Sequence, residues 1–457
     1  MSRRDRPAGC DDDRSACSAQ STAERSRVWI VTVGEPLPID AGGQRLHRAG
    51  ILADMLAKRG HEVVWWSSTF EHNGKSLRFD RSTRIVASPN HRIWCLHGRA
   101  YRRNVSLARL VNHWQVGRAF DRLIENEPQP DVILAAMPTI ELARSAVAYG
   151  RRRGVPVAID IRDLWPDIWV DAMPRPLRGA TRAALWPYEQ SLRATVRDAT
   201  AVLGITDGAV DWALAKAARP RTTHDAAFPF GYDPTPPPAE DIEAAERFWD
   251  EQGVFANDAF VACFIGSMTH RLQSRLLVEA AALIPAAERS RLRIVLCGNG
   301  EARPCLIEKA RGLEHVLLPG WINRAQIWTL LRRASIGLLP YPRTLDYVRS
   351  IPNKAIEYLS AGVPIVTSMQ GDMAVFLTRH ACGSVLADEA PEAFAAEILR
   401  LSREPMALAD LRSHAVATFE DLSAERVYGR MIDHLLRLPR PVQAAFDAPA
   451  APAMVRQ

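Results

Sequence analysis

In the stretch RSIPNKAIEYLSAGVPIV (349–366), a proline, a lysine and a glutamate are spaced to hold an anion beside a pair of hydroxyls. Pro352 suits the first turn of a helix, where its missing N–H would go unpaired anyway. The backbone N–H groups of Asn353 and Lys354 then point outward at the positive end of the helix dipole, which favours a phosphate or diphosphate. Arg349 and Lys354 add full charges. Glu357 lies about one turn further on. Asn353, Glu357, Ser360 and Ala361 share a face, while Ile356 and Leu359 point to the core. The small Ser360 and Ala361 leave room at the carboxylate, a good acceptor for two adjacent hydroxyls such as those of a ribose. The competing reading is a solvated glutamate on an ordinary surface helix.

A site of this kind needs strand ends to carry it, and the chain supplies them. Apolar runs at 28–33, 131–136, 156–163 and 201–206, with HEVVWWSS between the first two, alternate with helical periodicities such as RLHRAGILADMLAKRG. Around residue 228 the texture turns to proline and turn residues, FPFGYDPTPPPAEDIEAAE, as in a linker. Alternation then resumes with strands at 260–267, 293–300, 315–320 and 336–341. The pattern predicts an α/β fold of two doubly wound, Rossmann-like parallel-sheet domains facing across a cleft, with ligands where strands end and helices begin. The expected division is a disordered tail over 1–26, a first domain over 27–235 and a second over 236–422. A last helix over 423–438 packs back toward the first domain, and 439–457 forms a second tail.

Composition narrows the class. Of 457 residues, 47% are apolar and 24% charged, ordinary for a soluble globular protein. No apolar run approaches the length of a membrane span, and the N-terminus lacks the apolar segment of a signal peptide. The seven cysteines are scattered with no C-x-x-C pair, which predicts reduced thiols, a cytoplasmic setting and no zinc site. The net charge of +6 is concentrated between 27 and 233. That predicts an anionic partner for the first half: a phosphorylated ligand, an anionic membrane surface or nucleic acid. A solvated arginine-rich surface explains the charge equally well. Two basic segments with interleaved apolar residues, 98–120 and 175–197, could lie on an anionic membrane or be ordinary amphipathic core helices.

PNKAIEYLSAGVPIV resembles the donor-site signature of glycosyltransferase family 4, retaining enzymes of the GT-B fold. Other phrases follow in the family's order: Gly42–Gly43, LAKRGHEVVWWSS, FPFGYDP, FIGSM, IVLCGNGEAR, VLLPGW and IGLLPY. DIRDLWPDIW (160–169) is similar to a branch that transfers amino or deoxy sugars in O-antigen and capsule assembly. The resemblance spans roughly 28 to 438 and rests on the ordered combination of phrases.

The resemblance implies that Glu357 binds the nucleotide ribose and that Ser350, Ile351 and Pro352 lie against the sugar diphosphate, with Asn353 and Lys354 at the phosphates. The family's first glutamate would stand eight positions before Glu357, where this chain has Arg349, so Arg349 would instead meet the diphosphate or an acidic sugar substituent. Gly42 and Gly43 would let backbone N–H groups approach the phosphates from the other domain, or form a plain turn. Gly266 and Ser267 would border the donor. Ser267 replaces a usual arginine, for which Arg271 and Arg275 are nearby substitutes. Trp321 and Ile322 match the turn that cradles the base, although the Trp could equally be core. Many members have His-Asp where this chain has Arg162–Asp163. Asp163 would orient or deprotonate the acceptor hydroxyl and Arg162 would pair with the acceptor's phosphate, unless the two form a salt bridge beside Trp165. No metal or cofactor is expected. The implied activity moves a sugar from a nucleotide-sugar to an acceptor, such as a glycan linked to undecaprenyl diphosphate at the inner face of the cytoplasmic membrane. An epimerase of the same fold is the alternative. An NAD(P)-dependent oxidoreductase would need G-x-G-x-x-G after the first strand, which VGEPLPIDAGG does not supply. Specific nucleic-acid binding rests on charge alone.

Overall fold

The computed structural model describes residues 25–40, 45–72, 74–102 and 106–441. Gly42, Gly43 and segments 1–24 and 442–457 of the expected tails lie outside the described residues. The first half contributes β1 (Arg27–Val31), β2 (Glu62–Ser68), a small antiparallel pair β3 (Phe70–Glu71) and β4 (Ser76–Leu77), β5 (Thr83–Ser88), β6 (His91–Leu96), β7 (Val132–Ala136), β8 (Val157–Ile161), β9 (Ala201–Gly204) and β10 (Ala226–Ala227). Eight of these make one sheet in the order β10-β9-β8-β7-β1-β2-β6-β5, parallel except for β5 on β6. The second half contributes β11 (Phe260–Ile265), β12 (Leu292–Cys297), β13 (Val316–Gly320), β14 (Ile336–Leu339), β15 (Ile365–Thr367) and β16 (Gly383–Val385). Their all-parallel order is β13-β12-β11-β14-β15-β16.

Both sheets are covered on both faces, so their central strands are nearly continuous apolar runs. Strands β7, β8 and β9 have no exposed residue. In each sheet the chain reverses direction beside its first strand. Strand β1 lies between β2 and β7, and β11 lies between β12 and β14. Crossovers leave these strands to opposite sides, which opens a crevice at their carboxyl ends.

The two halves are stitched where the chain crosses between them. Tyr232 N–H donates to the Leu422 carbonyl (3.1 Å), and Ala424 N–H donates to the Tyr232 carbonyl (2.9 Å). The helix Ala424–Leu436 buries Val427, Tyr428, Met431, Ile432 and Leu435 in one cluster with Val28, Ile30, Leu52 and Leu56 of the first half. Gly231 is obligatory at this crossing, because a Cβ there would lie 2.7 Å from the Ala424 Cα. Its N–H donates to the Tyr428 hydroxyl (3.0 Å). The described cysteines 95, 263, 297, 305 and 382 are all free thiols, and four of them are buried.

Candidate active site

The helix Asn353–Leu359 begins directly after Pro352, whose backbone is extended. Ile356 and Leu359 are fully buried, as their spacing predicts, and Tyr358 packs so closely that a side chain on Gly337 would collide with its ring. The Tyr358 hydroxyl accepts from Ile265 N–H at the end of β11 (2.9 Å), which locks this helix to the strand bearing Gly266 and Ser267. Glu357 is not a solvated surface residue: it is 4% exposed. One carboxylate oxygen meets Lys354 Nζ at 2.6 Å. The other meets Arg45 Nη1 at 3.2 Å, reaching across from the first half. The Arg45 guanidinium also lies over the Tyr232 ring, 4.2 Å from its centroid. Burial, then the Glu357 charge, pushes the Tyr232 phenol up to about 12.

Facing this helix is a cavity of about 310 Å³ lined by Glu35, Arg45, His47 and Arg162 on one side and Ser350 and Asn353 on the other. The start of the helix Arg48–Lys58 forms its floor, with the Ala49 N–H donating to Glu35 (2.9 Å). Desolvation lowers His47, Glu35 opposes this, and Arg45, Arg162 and Lys354 add to it, which favours the neutral imidazole.

Beneath the floor lies a buried ion network. Arg48 and Asp160, both fully buried, form a two-pronged pair at 3.0 Å and 3.0 Å. Arg48 also donates to the carbonyls of Phe228 (2.7 Å) and Pro229 (3.0 Å). Arg162 donates to Asp160 (2.8 Å) and pairs with Glu35. Burial would raise the Asp160 carboxyl, but Arg48 and Arg162 outweigh it and hold the group below its usual range. Removing one member leaves an uncompensated buried charge, which costs about 3–5 kcal/mol. Arg48→Met is therefore expected to lower the urea midpoint of unfolding severely, whereas the double variant Arg48→Met/Asp160→Leu recovers much of the loss. Of the two sequence readings of Arg162, the salt bridge is the one seen, with Asp160 and Glu35 as its partners rather than Asp163. Its guanidinium is turned into this network, because two carboxylates reach it from behind, and only Nη2 is buried without a partner.

A second cavity, about 360 Å³, adjoins the first and holds Asp163 with Arg109, Arg271, Asp346, Tyr347, Arg349 and Ser350. Its wall is aromatic. Trp165 and Trp169 meet at 4.4 Å, and the Arg109 guanidinium lies 4.5 Å from the Trp165 ring centre. Asp163 opens to the cleft but is ringed by protein. Partial desolvation raises its carboxyl, Arg109 opposes this, and Asp346 adds to it. Arg271 reaches Asp346 (2.5 Å), which brings one of the two substitutes for the missing arginine to the cleft. Arg349 bridges the halves: its Nη1 donates to the Gly208 carbonyl (2.8 Å) and its carbonyl accepts from Thr206 Oγ1 (2.8 Å).

Not every expected residue comes together here. Arg275 is exposed, pairs with Glu279 on its own helix and lines a separate cavity of about 290 Å³. Ile322 is buried in the core of the second half, whereas Trp321, at the same turn, is 71% exposed and is not core. Ser267 is exposed at the end of β11. Behind it Gly298 (φ +141°) passes so close that a Cβ would overlap the Gly266 carbonyl oxygen. Among the described residues no cluster of three or more His, Cys, Asp or Glu side chains is placed to hold a metal ion.

Two family models match, one in each half. Residues 46–224 match "Glycosyl transferase 4-like domain" and residues 259–404 match "Glycosyl transferases group 1". The chain is a glycosyltransferase of the GT-B fold. Among solved structures, sucrose-phosphate synthase from Thermosynechococcus elongatus aligns with a TM-score of 0.67 at 16% identity, covering 90% of this chain and 98% of that one. Anabaena HepE in complex with UDP aligns at 0.61 and 14%, covering 90% and 99%. An α,α-trehalose-phosphate synthase (UDP-forming) from Burkholderia vietnamiensis aligns at 0.65 and 13%, covering 92% and 98%. No curated protein sequence matches the chain. The glycosyltransferase's most informative cleft residues outside the motifs are Glu35, Arg45 and His47. Only Arg45 and His47 had a sequence signal, two basic residues directly between the glycine pair and a helix.

Proposed function

We propose that this glycosyltransferase moves a sugar with retention of configuration from a nucleotide-sugar, in the first instance a UDP-sugar, to the hydroxyl of a glycan acceptor carried on a lipid diphosphate. The observation that carries the donor reading is Glu357: a nearly buried carboxylate at the cleft, beside a cation from each half. A cis-diol can satisfy both of its oxygens, and the cations beside it can neutralise a diphosphate. Anabaena HepE was solved with UDP and with UDP-glucose, which supports UDP as the first probe. The acceptor hydroxyl would enter beside Asp163, which takes its proton as the new oxygen–carbon bond forms. The sugar–diphosphate bond breaks on the same face, and the departing charge meets Lys354 and arginine without a metal. Wild-type protein is expected to melt higher with one of UDP, GDP, ADP or dTDP than with the others. No response to any of the four would end the donor reading.

The exterior of the first half supports a membrane-borne acceptor. Leu107, Val111 and Trp114 form an exposed stripe along the helix Leu107–Leu123, with Arg118 over the Trp114 ring (5.2 Å). The helix Arg178–Ala184 has no buried residue, and Leu177 and Trp186 flank it, both exposed. No acidic residue occurs between Arg175 and Tyr188. Apolar side chains among arginines fit an anionic bilayer surface. Among the described residues no helix is long and apolar enough to cross a membrane. The protein is expected to float with phosphatidylglycerol vesicles and not with phosphatidylcholine vesicles. The double variant Leu107→Ser/Trp114→Ser should lose roughly tenfold or more in partitioning, from the apolar burial forgone. Equal flotation with both lipids, or none, would remove the membrane from the reading.

A further inference from the structure

Each oxygen of the Glu357 carboxylate already faces a cation that a diol must displace or share it with. Lys354 holds Oε2 at 2.6 Å and Arg45 holds Oε1 at 3.2 Å. The two cations differ in what ties them down. Lys354 comes from the preceding turn of the same helix and stays beside Glu357 in any arrangement of the two halves. Arg45 comes from the other half, lies 312 positions away in sequence, and is about one-third exposed. It also borders the cavity of about 310 Å³ whose opposite wall is Ser350 and Asn353. A guanidinium released from Glu357 therefore does not enter bulk water. It turns into that cavity, whose other lining cations, Arg48 and Arg162, are already tied to Asp160 and Glu35.

We propose that Arg45 is an exchange residue that makes the site selective for nucleotides over nucleosides. This rests on Glu357 being the ribose acceptor. In the empty enzyme Arg45 neutralises Glu357. When ribose hydroxyls take the carboxylate, Arg45 passes to the donor's diphosphate. A nucleoside must break the Arg45–Glu357 pair and offers the guanidinium nothing in return. A nucleoside diphosphate breaks the same pair and replaces it with a charge-assisted contact to phosphate, for which the planar guanidinium fork is well shaped. One side chain thus weakens the wrong ligand and strengthens the right one, which is how discrimination is usually built. No bond is made or broken in this step; only hydrogen-bond partners change.

The test is calorimetric titration of the full chain with uridine and UDP, and with the other nucleoside and diphosphate pairs if UDP is not the nucleotide held. In Arg45→Met, nucleoside is expected to bind at least threefold tighter than to wild type. The diphosphate is expected to bind about tenfold weaker, the size of one charge-assisted hydrogen bond. Arg45→Lys keeps the charge but not the fork and should recover part of the diphosphate affinity. Circular dichroism melts confirm that each variant is folded. If Arg45→Met changes neither affinity, or lowers both by the same factor, the exchange is wrong. Glu357→Ala separates this from the parent reading. If Glu357→Ala removes nucleoside binding while Arg45→Met is silent, only the exchange fails. If Glu357→Ala leaves nucleoside affinity unchanged, the ribose assignment itself fails.

Discussion

Glu357→Ala is expected to abolish the rise in melting temperature that the nucleotide gives the wild-type protein. A ligand at about one hundred times its dissociation constant stabilises the folded state by about 2.7 kcal/mol. That gain depends on hydroxyl-to-carboxylate hydrogen bonds in a nearly closed site, each worth roughly 1.5–3 kcal/mol because the acceptor is charged. Two such bonds account for essentially the whole response, so their loss moves the affinity by two or more decades. Glu357→Gln separates shape from charge. The amide has one oxygen and one NH₂ group, so it can accept from one hydroxyl only and should retain a small part of the response. The unliganded Glu357→Ala protein should melt close to wild type. The two cations it frees are each about one-third exposed and can be solvated, and the buried carboxylate is removed with them, so the loss is on the order of 1 kcal/mol. A normal nucleotide response in Glu357→Ala would place the ribose elsewhere.

The difference between what could be read from the sequence and what could not has a physical pattern. Strands β1, β7, β8, β11 and β12 were legible because parallel strands covered on both faces become unbroken apolar runs bounded by Gly or Pro. Strands β5 and β6 were not. At this end of the sheet their burial alternates, with exposed Arg84 and Val86 on either side of the less exposed Ile85, and the short TRIV run dissolves into RSTRIVASPNHRIWCL. The glutamate of the NKAIEYL helix was legible because its lysine, its proline and its apolar face are all local. The Glu35–Arg162–Asp160–Arg48 network was not, because its members lie up to 127 positions apart and meet only once β8 is in register beside β7. The same holds for Arg45. Nothing near residue 45 announces that its partner is on a helix of the other half. Trp321 and Ile322 show the converse: a motif places both at a turn, but only the fold shows that one side chain faces solvent and the other the core.

Asp163→Asn is expected to lower kcat by about 10²–10⁴-fold, the usual contribution of a positioned general base, with little change in nucleotide affinity. The carboxylate stands on the loop after β8, in the cavity that Arg109, Arg271 and Arg349 border. Asn keeps the shape but cannot take a proton. Two pH signatures follow from the raised carboxyl. Wild-type kcat/KM should rise with pH through the shifted pKa, since only the ionised form is a base, and the variant's profile should be flat over that limb. Stability runs the other way. A carboxyl raised by folding is a neutral group forced to ionise at neutral pH, so the folded protein binds its proton more tightly than the unfolded chain does. The wild type therefore loses stability as pH climbs from the unfolded pKa, about 3.9, through the folded one. Asp163→Asn should consequently melt higher than wild type at pH 7, and the gap should close below about pH 4. Higher melting with lost turnover is the mark of a charge kept at a cost to the fold for chemistry's sake. If the variant instead melts lower and keeps its kcat, Asp163 is a structural partner of its arginines. The proton then leaves by another route, with an oxygen of the departing diphosphate the nearest base.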